Sequence, residues 1–173
     1  LDMAAWNLDS AGVNANQAYR ILNVSGRANL TDGAVYRVNT DVINNKSDKI
    51  NFTGTTAAGT QYVQIGYDPT VAAQLDLGVT TLTPTTPIII VTGVTGLTGV
   101  AGKESQIDGV LFRHTVNPTI SDNGAGTLSL HSLSSLTSKK TLSEGPRTAI
   151  DAQQSGQNAW LNQGNHMVRR LGD

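Results

Sequence analysis

Residues able to do chemistry are few in this chain and widely spaced. Histidine occurs at His114, His131 and His166. None stands in the His-Glu-x-x-His or His-x-His spacing that would bring two imidazoles onto one metal. Cysteine is absent, which removes Cys-based zinc sites, thiol nucleophiles and disulfides. The acids Asp41, Asp48, Asp68, Asp76, Asp108 and Asp122 could in principle pair into a glycosidase or lyase dyad. All but Asp76 lie at or close to Asn, Ser, Pro or Gly, where a carboxylate receives the backbone N–H groups of a turn. Asp108-Gly109 and Asp122-Asn123-Gly124 are turn signals without the glutamate that closes a calcium loop. Ser25-Gly26 lacks the Gly-x-Ser-x-Gly elbow of a nucleophilic serine. The run from Gly93 to Gly99 mimics a phosphate loop but lacks the Lys-Ser/Thr ending and a following helix, so it is expected to be a chain of turns. No catalytic residue, metal or cofactor is expected.

Composition narrows the partners. The formal charge is −1 and only 14% of the 173 residues are charged. Lys and Arg are scattered until Arg169 and Arg170, so nucleic acid and anionic membrane are disfavoured, since both call for a basic patch. The longest apolar run, Pro87 to Val91, is far shorter than the roughly 20 residues of a spanning helix. The length suits one domain, or one domain with an appendage. Leu1 opens without a signal peptide and the chain stops after Leu171-Gly172-Asp173. Both ends are expected to be boundaries within something longer.

The elements that must position these residues are mostly strands. Residues 1–136 are expected to be β-rich: short alternating runs separated by Gly, Asn, Asp and Pro. Examples are 19–24, 35–38, 49–52, 61–65, 110–112 and 127–130, with Ile88 to Val91 as a strand buried on both faces. Such strands fit a sandwich or a solenoid. A motif "apolar-x-apolar-x-Gly" recurs at Leu22–Gly26, Ile50–Gly54 and loosely at Ile89–Gly93, as stacked rungs would show. Asp68 to Thr86 looks like an excursion from the stack. Tyr19, Tyr36, Tyr62 and Tyr67 with Trp6 could line a carbohydrate groove, but are expected to cover rung edges and a capping end.

The pattern changes near Thr137. Residues 137–145 read as linker, and Pro146 marks the first turn of a helix over 146–173. Ala149, Ala152, Gly156, Ala159 and Gln163 fall at helical spacing and give a narrow face of small residues. This slim helix would be marginal alone. It would extend about 42 Å, longer than the roughly 25 Å apolar band of an outer-membrane barrel. Small and polar side chains suit a helix threaded through a water-filled pore.

The ending Asn165-His166-Met167-Val168-Arg169-Arg170-Leu171-Gly172-Asp173 resembles the helix-to-barrel junction of bacterial autotransporters. Upstream, Trp6-Asn7-Leu8, Asn23-Val24-Ser25-Gly26, Ser47–Gly54 and Gly59-Thr60-Gln61-Tyr62-Val63 resemble the family's autochaperone region at the passenger C-terminus. The resemblance implies a right-handed parallel β-helix whose last rungs carry a less regular β cap, followed by the α-helical linker. It implies a structural and folding module at the Gram-negative cell surface, reached through the periplasm. The partners would be its own upstream passenger, its own C-terminal β-barrel and the outer-membrane assembly machinery, with no nucleic acid and no small-molecule substrate. In some subfamilies the helix is cut between two adjacent asparagines; here those positions are Asn165 and His166, and the histidine departs from that pattern. A surface adhesin or ligand-binding β-domain is the alternative; a β-helix polysaccharide lyase is disfavoured by the missing charged cluster.

Overall fold

The computed structural model describes residues 1–3, 19–124, 126–136, 141–142 and 144–172. Its body starts from two sets of parallel strands. β1 (Ile21–Leu30), β5 (Lys49–Ala57) and β8 (Ile88–Thr95) lie side by side in one sheet. β2 (Val35–Val38), β6 (Thr60–Ile65) and β9 (Gly99–Lys103) lie side by side in a second. The chain lays one strand in the first sheet, turns into the second, and returns to pair in parallel one layer on. β3 (Thr40–Asp41) and β4 (Lys46–Ser47) form a small antiparallel pair on the return from β2 to β5. The return from β6 to β8 is longer and carries α1 (Pro69–Asp76) and β7 (Thr81–Leu82). The excursion expected from Asp68 to Thr86 is therefore a helix plus a strand outside both parallel sets.

Like residues stack because the register demands it. Leu22 sits opposite Ile50 and Val24 opposite Phe52, so inward apolar positions repeat from layer to layer. Ile50 then faces Val91 and Asn51 faces Thr92. The repeated motif thus aligns in space between its first two copies, while the third is displaced by two residues from the sequence alignment. A register shift between Asn51 and Thr55 absorbs that offset, so Thr55 faces Val94. Gly26, Gly54 and Gly93 all have positive φ, and a Cβ at Gly93 would collide with the Phe52 carbonyl oxygen. Glycine is needed there for the turn of the backbone and for the close approach of the neighbouring strand.

The C-terminal part of the body is antiparallel. β10 (Ser105–Asp108), β11 (Phe112–Asp122) and β12 (Leu128–Ser135) pair antiparallel in sequence, and β12 joins β8 antiparallel. β7 also pairs β12, and β13 (Thr141–Leu142) pairs β11. The larger sheet is therefore mixed, with parallel strands at one end and an antiparallel group at the other. The last element, α2 (Glu144–Gly172), completes a mostly β chain with a C-terminal helix.

The core runs through both parts, with Ile50, Val63, Ile65, Ile90, Val91, Leu128, Leu130 and Leu133 fully buried. Each such side chain stabilises the fold by about 1.5–3 kcal/mol relative to exposure. Gln61 is buried among them and is satisfied: its Oε1 accepts from Tyr36 Oη at 3.1 Å, and its Nε2 donates to the Thr31 and Ala58 carbonyls at 3.0 Å each.

Several expectations need correction. Ile88–Val91 is not buried on both faces, because Ile89 points outward and is 42% exposed. Val110 and Leu111 are the tip between β10 and β11, and the strand starts only at Phe112. The run from Gly93 to Gly99 is not a chain of turns: β8 continues through Gly93 to Thr95, and only 96–98 turn before β9. Tyr36 covers no rung edge; it is buried edge-on against Phe52, with ring centroids 6.1 Å apart. Within the stretch expected as linker, Thr141–Leu142 pairs with β11 and α2 already begins at Glu144, while 137–140 lie outside the described residues.

Candidate functional site

The side chains with chemistry gather at the two ends of α1. Asp68 caps its start: Oδ1 accepts the Thr70 and Val71 backbone N–H groups at 2.9 and 3.2 Å, and Pro69 pre-sets the first turn. The other oxygen accepts the Tyr19 hydroxyl at 2.7 Å. Asp68 is fully buried. Burial pushes its carboxyl above the ordinary carboxylate range, with the Asp41 charge adding to the rise, against the lowering effect of the Tyr19 and backbone donors. Burial, then the bond to Asp68, raises the Tyr19 phenol. Tyr67 is raised by burial and by the nearby Asp68 and Asp76 charges, and burial pushes Tyr36 up to about 12.

Asp76 ends the helix, and it is the one acid that the sequence set apart from turn residues. Its Oδ1 lies 2.8 Å from His114 Nε2, and its Oδ2 accepts the Val110 backbone N–H at 2.7 Å. A side chain at Gly109 would collide with this carboxylate. Asp76 thus clasps the β10–β11 hairpin onto the excursion, and both of its oxygens are spent doing so. A cleft of about 310 Å³ opens beside the clasp, lined by Leu75, Asp76, Val79, Arg113, His114 and Ser135 among others. Arg113 makes a two-pronged ion pair with Asp108 across the hairpin, at 2.7 and 3.1 Å. On the outer side Leu77, Val110 and Leu111 are 77%, 82% and 52% exposed and form an apolar patch with Phe112.

The remaining acids receive backbone donors. Asp41 accepts from Ile43 and Asn44, and buried Asp48 accepts the Arg20 and Asn39 backbone N–H groups. Asp122 closes its turn on Gly124. His131 lies far from the clasp in sequence and meets Ser121 Oγ at 2.6 Å on an exposed face of β11 and β12. Among the described residues no three His, Cys, Asp or Glu side chains group as metal ligands. Asn165 and His166 fall within α2, but their side chains lie outside the described residues, as does Trp6. Tyr62 is half-buried on β6.

Two larger features frame these details. The first is the outer edge of β1, which ends the strand order of the larger sheet and pairs with no other strand among the described residues. Its inward residues Leu22, Val24 and Leu30 are only half-buried, although their neighbours Ile50, Phe52 and Ala57 one layer on are buried. The second is α2, 29 residues long and so about 43 Å. Residues 147–161 are exposed on every side, including Trp160 at 73%. The helix and its slim character are legible in the sequence. The clasp is not, because only the fold brings Asp76 and His114 together. No protein-family model, curated protein or solved structure matches this chain.

Proposed function

We propose that this chain is a structural and folding module of a secreted autotransporter. Its β-body is the membrane-proximal base of the passenger, read as the last rungs of a right-handed parallel β-helix with an antiparallel cap. Its C-terminal helix leads into an outer-membrane barrel and occupies the pore. The module is non-catalytic and uses no cofactor. Its partners are the passenger ahead of it, the barrel behind it and the outer-membrane assembly machinery, and it works at the Gram-negative surface after crossing the periplasm.

The observation that carries this reading is the join of a β-body, whose parallel strands leave β1 with an edge unpaired among the described residues, to a long helix exposed along 147–161. A helix with no wide apolar stripe, exposed along 147–161, is marginal in water by itself. A narrow hydrated pore would supply the surroundings it lacks. At the opposite end, an edge strand can template the next layer, because each added strand pairs with one already formed. Folding outside the cell would then bias export forward without a nucleotide-driven motor. The test is surface display of a reporter fused ahead of this chain, with an outer-membrane barrel fused behind it. Display should collapse when residues 20–136 are removed, and unchanged display would refute the reading.

An alternative, a surface adhesin or ligand-binding β-domain, is favoured by one observation, the apolar patch at Leu77, Val110 and Leu111. Under that reading Val110→Asp would abolish attachment to host surfaces while leaving display intact.

A further inference from the structure

Among the described residues the outer edge of β1 is unpaired, and its side chains carry information about what pairs with it. Two lines of side-chain hydrogen bonds cross the outer face of the parallel strands. Thr92 Oγ1 donates to Asn51 Oδ1 at 2.8 Å, and Asn51 Nδ2 donates to Asn23 Oδ1 at 3.0 Å. In the second line Thr95 Oγ1 donates to the Thr55 carbonyl at 3.1 Å, and Thr56 Oγ1 donates to Asn29 Oδ1 at 2.7 Å. Every donation points towards β1. Asn23 and Asn29 therefore end the lines as acceptors, and among the described residues their amide N–H₂ groups are unspent.

Chain direction identifies the occupant of that edge. Leu1–Met3 already runs parallel to β2, one layer ahead of it. Leu1 N donates to the Val35 carbonyl at 2.7 Å, Arg37 N donates to the Leu1 carbonyl at 2.9 Å, and Met3 N donates to the Arg37 carbonyl at 2.8 Å. Met3 is buried, as an inward residue of a real layer should be. In each later layer a first-sheet strand precedes its second-sheet partner by a short turn, namely 31–34, 58–59 and 96–98. The strand that precedes Leu1–Met3 by the same rule falls on the outer edge of β1, which is unpaired among the described residues.

We propose that this edge receives a parallel strand from residues joined ahead of Leu1, and that this strand presents side-chain oxygen acceptors opposite Asn23 and Asn29. Asn, Asp, Ser or Thr would serve; Val, Leu or Lys would leave both amides to solvent. Inward positions of the same strand would be apolar and would complete the burial of Leu22, Val24 and Leu30. The inference deepens the proposed function and rests on it, since it names the chemistry by which the base recognises the next layer of the passenger.

The test extends the full chain at its amino end with a copy of the Lys49–Tyr62 sequence, because Asp2 pairs with Arg37, which pairs with Gln64, so Leu1 takes the place of Val63. A twin extension carries Val in place of the copied Asn51 and Thr56. Hydrogen exchange of the β1 backbone amides should slow at least about tenfold in the first protein, and markedly less in the twin. Equal protection by both extensions would overturn the need for acceptors. Absence of protection in both would overturn the strand site itself. A cysteine pair, Asn23→Cys with a cysteine at the copied Asn51 position, reads the register independently: rapid disulfide formation supports it, and no cross-link overturns it. A chain that supports display yet leaves β1 unprotected sinks this inference alone. Protection of β1, with display indifferent to the β-body, sinks only the reading beneath it.

Discussion

Single side chains in this protein mostly hold backbone in place, and the two acids of α1 show how far that goes. Asp68 is buried and its carboxyl is raised, so its charged form is less stable in the fold than in water. The unfolded carboxyl loses its proton near its ordinary value of 3.8, the folded one at a higher pH. Between those two points the folded state binds more protons, so this group's contribution to stability falls as pH rises. Asp68→Asn keeps an oxygen for the helix cap and cannot ionise. The stability of the variant relative to the parent should therefore rise as pH climbs through that window and then level off. Denaturant midpoints taken from pH 3 upwards (about pH 3 to 8) check this. Asp76→Ala strips partners from the Val110 N–H and from His114, and should cost about 1–3 kcal/mol. Urea unfolding measures it; a loss below a few tenths would mean the clasp is ornamental.

At the scale of elements, stacking and exposure decide the outcome. Gly93 lies within β8 at positive φ, with the Phe52 carbonyl where a side chain would go. Gly93→Ala should destabilise the body by about 1–3 kcal/mol, seen as a lower denaturation midpoint. In α2, nothing lies within 4 Å of a Cβ built on Gly156. Gly156→Ala should favour the helix by about 0.8–1.0 kcal/mol, raising far-ultraviolet helicity while leaving the unfolding midpoint of the β-body unchanged. A shifted midpoint would show that the helix is packed after all. These elements also show what was legible in the sequence. Alternation and the Gly motif gave away β1 and β5 as stacked neighbours, because inward apolar residues repeat wherever strands lie in register. β8 was found as a strand but misaligned by two residues, since its register shift leaves no mark on local pattern. Val110 and Leu111 read as strand because apolar residues usually seek a core; here they form an exposed tip. The clasp was hidden for another reason: Asp76 and His114 are 38 residues apart, and no periodicity links an excursion to a distant hairpin.

For the whole molecule, the proposed function makes the β-body a folded base that must be stable for export to proceed. Buried side chains run from β5 through β8 into the antiparallel strands, so damage at Gly93 or Asp76 is expected to lower the stability of the whole β-body. The helix, exposed along 147–161, would join that unit to the barrel without sharing its stability. The decisive measurement is reporter display at the bacterial surface for a graded series: the parent chain, Asp76→Ala, Gly93→Ala and the double variant, each joined to an outer-membrane barrel. Unfolding free energies of the same chains are measured in solution. Display should fall in the order in which stability falls, with the double variant lowest, while barrel insertion stays constant. Full display from a chain whose β-body is unfolded in solution would contradict the proposed role outright.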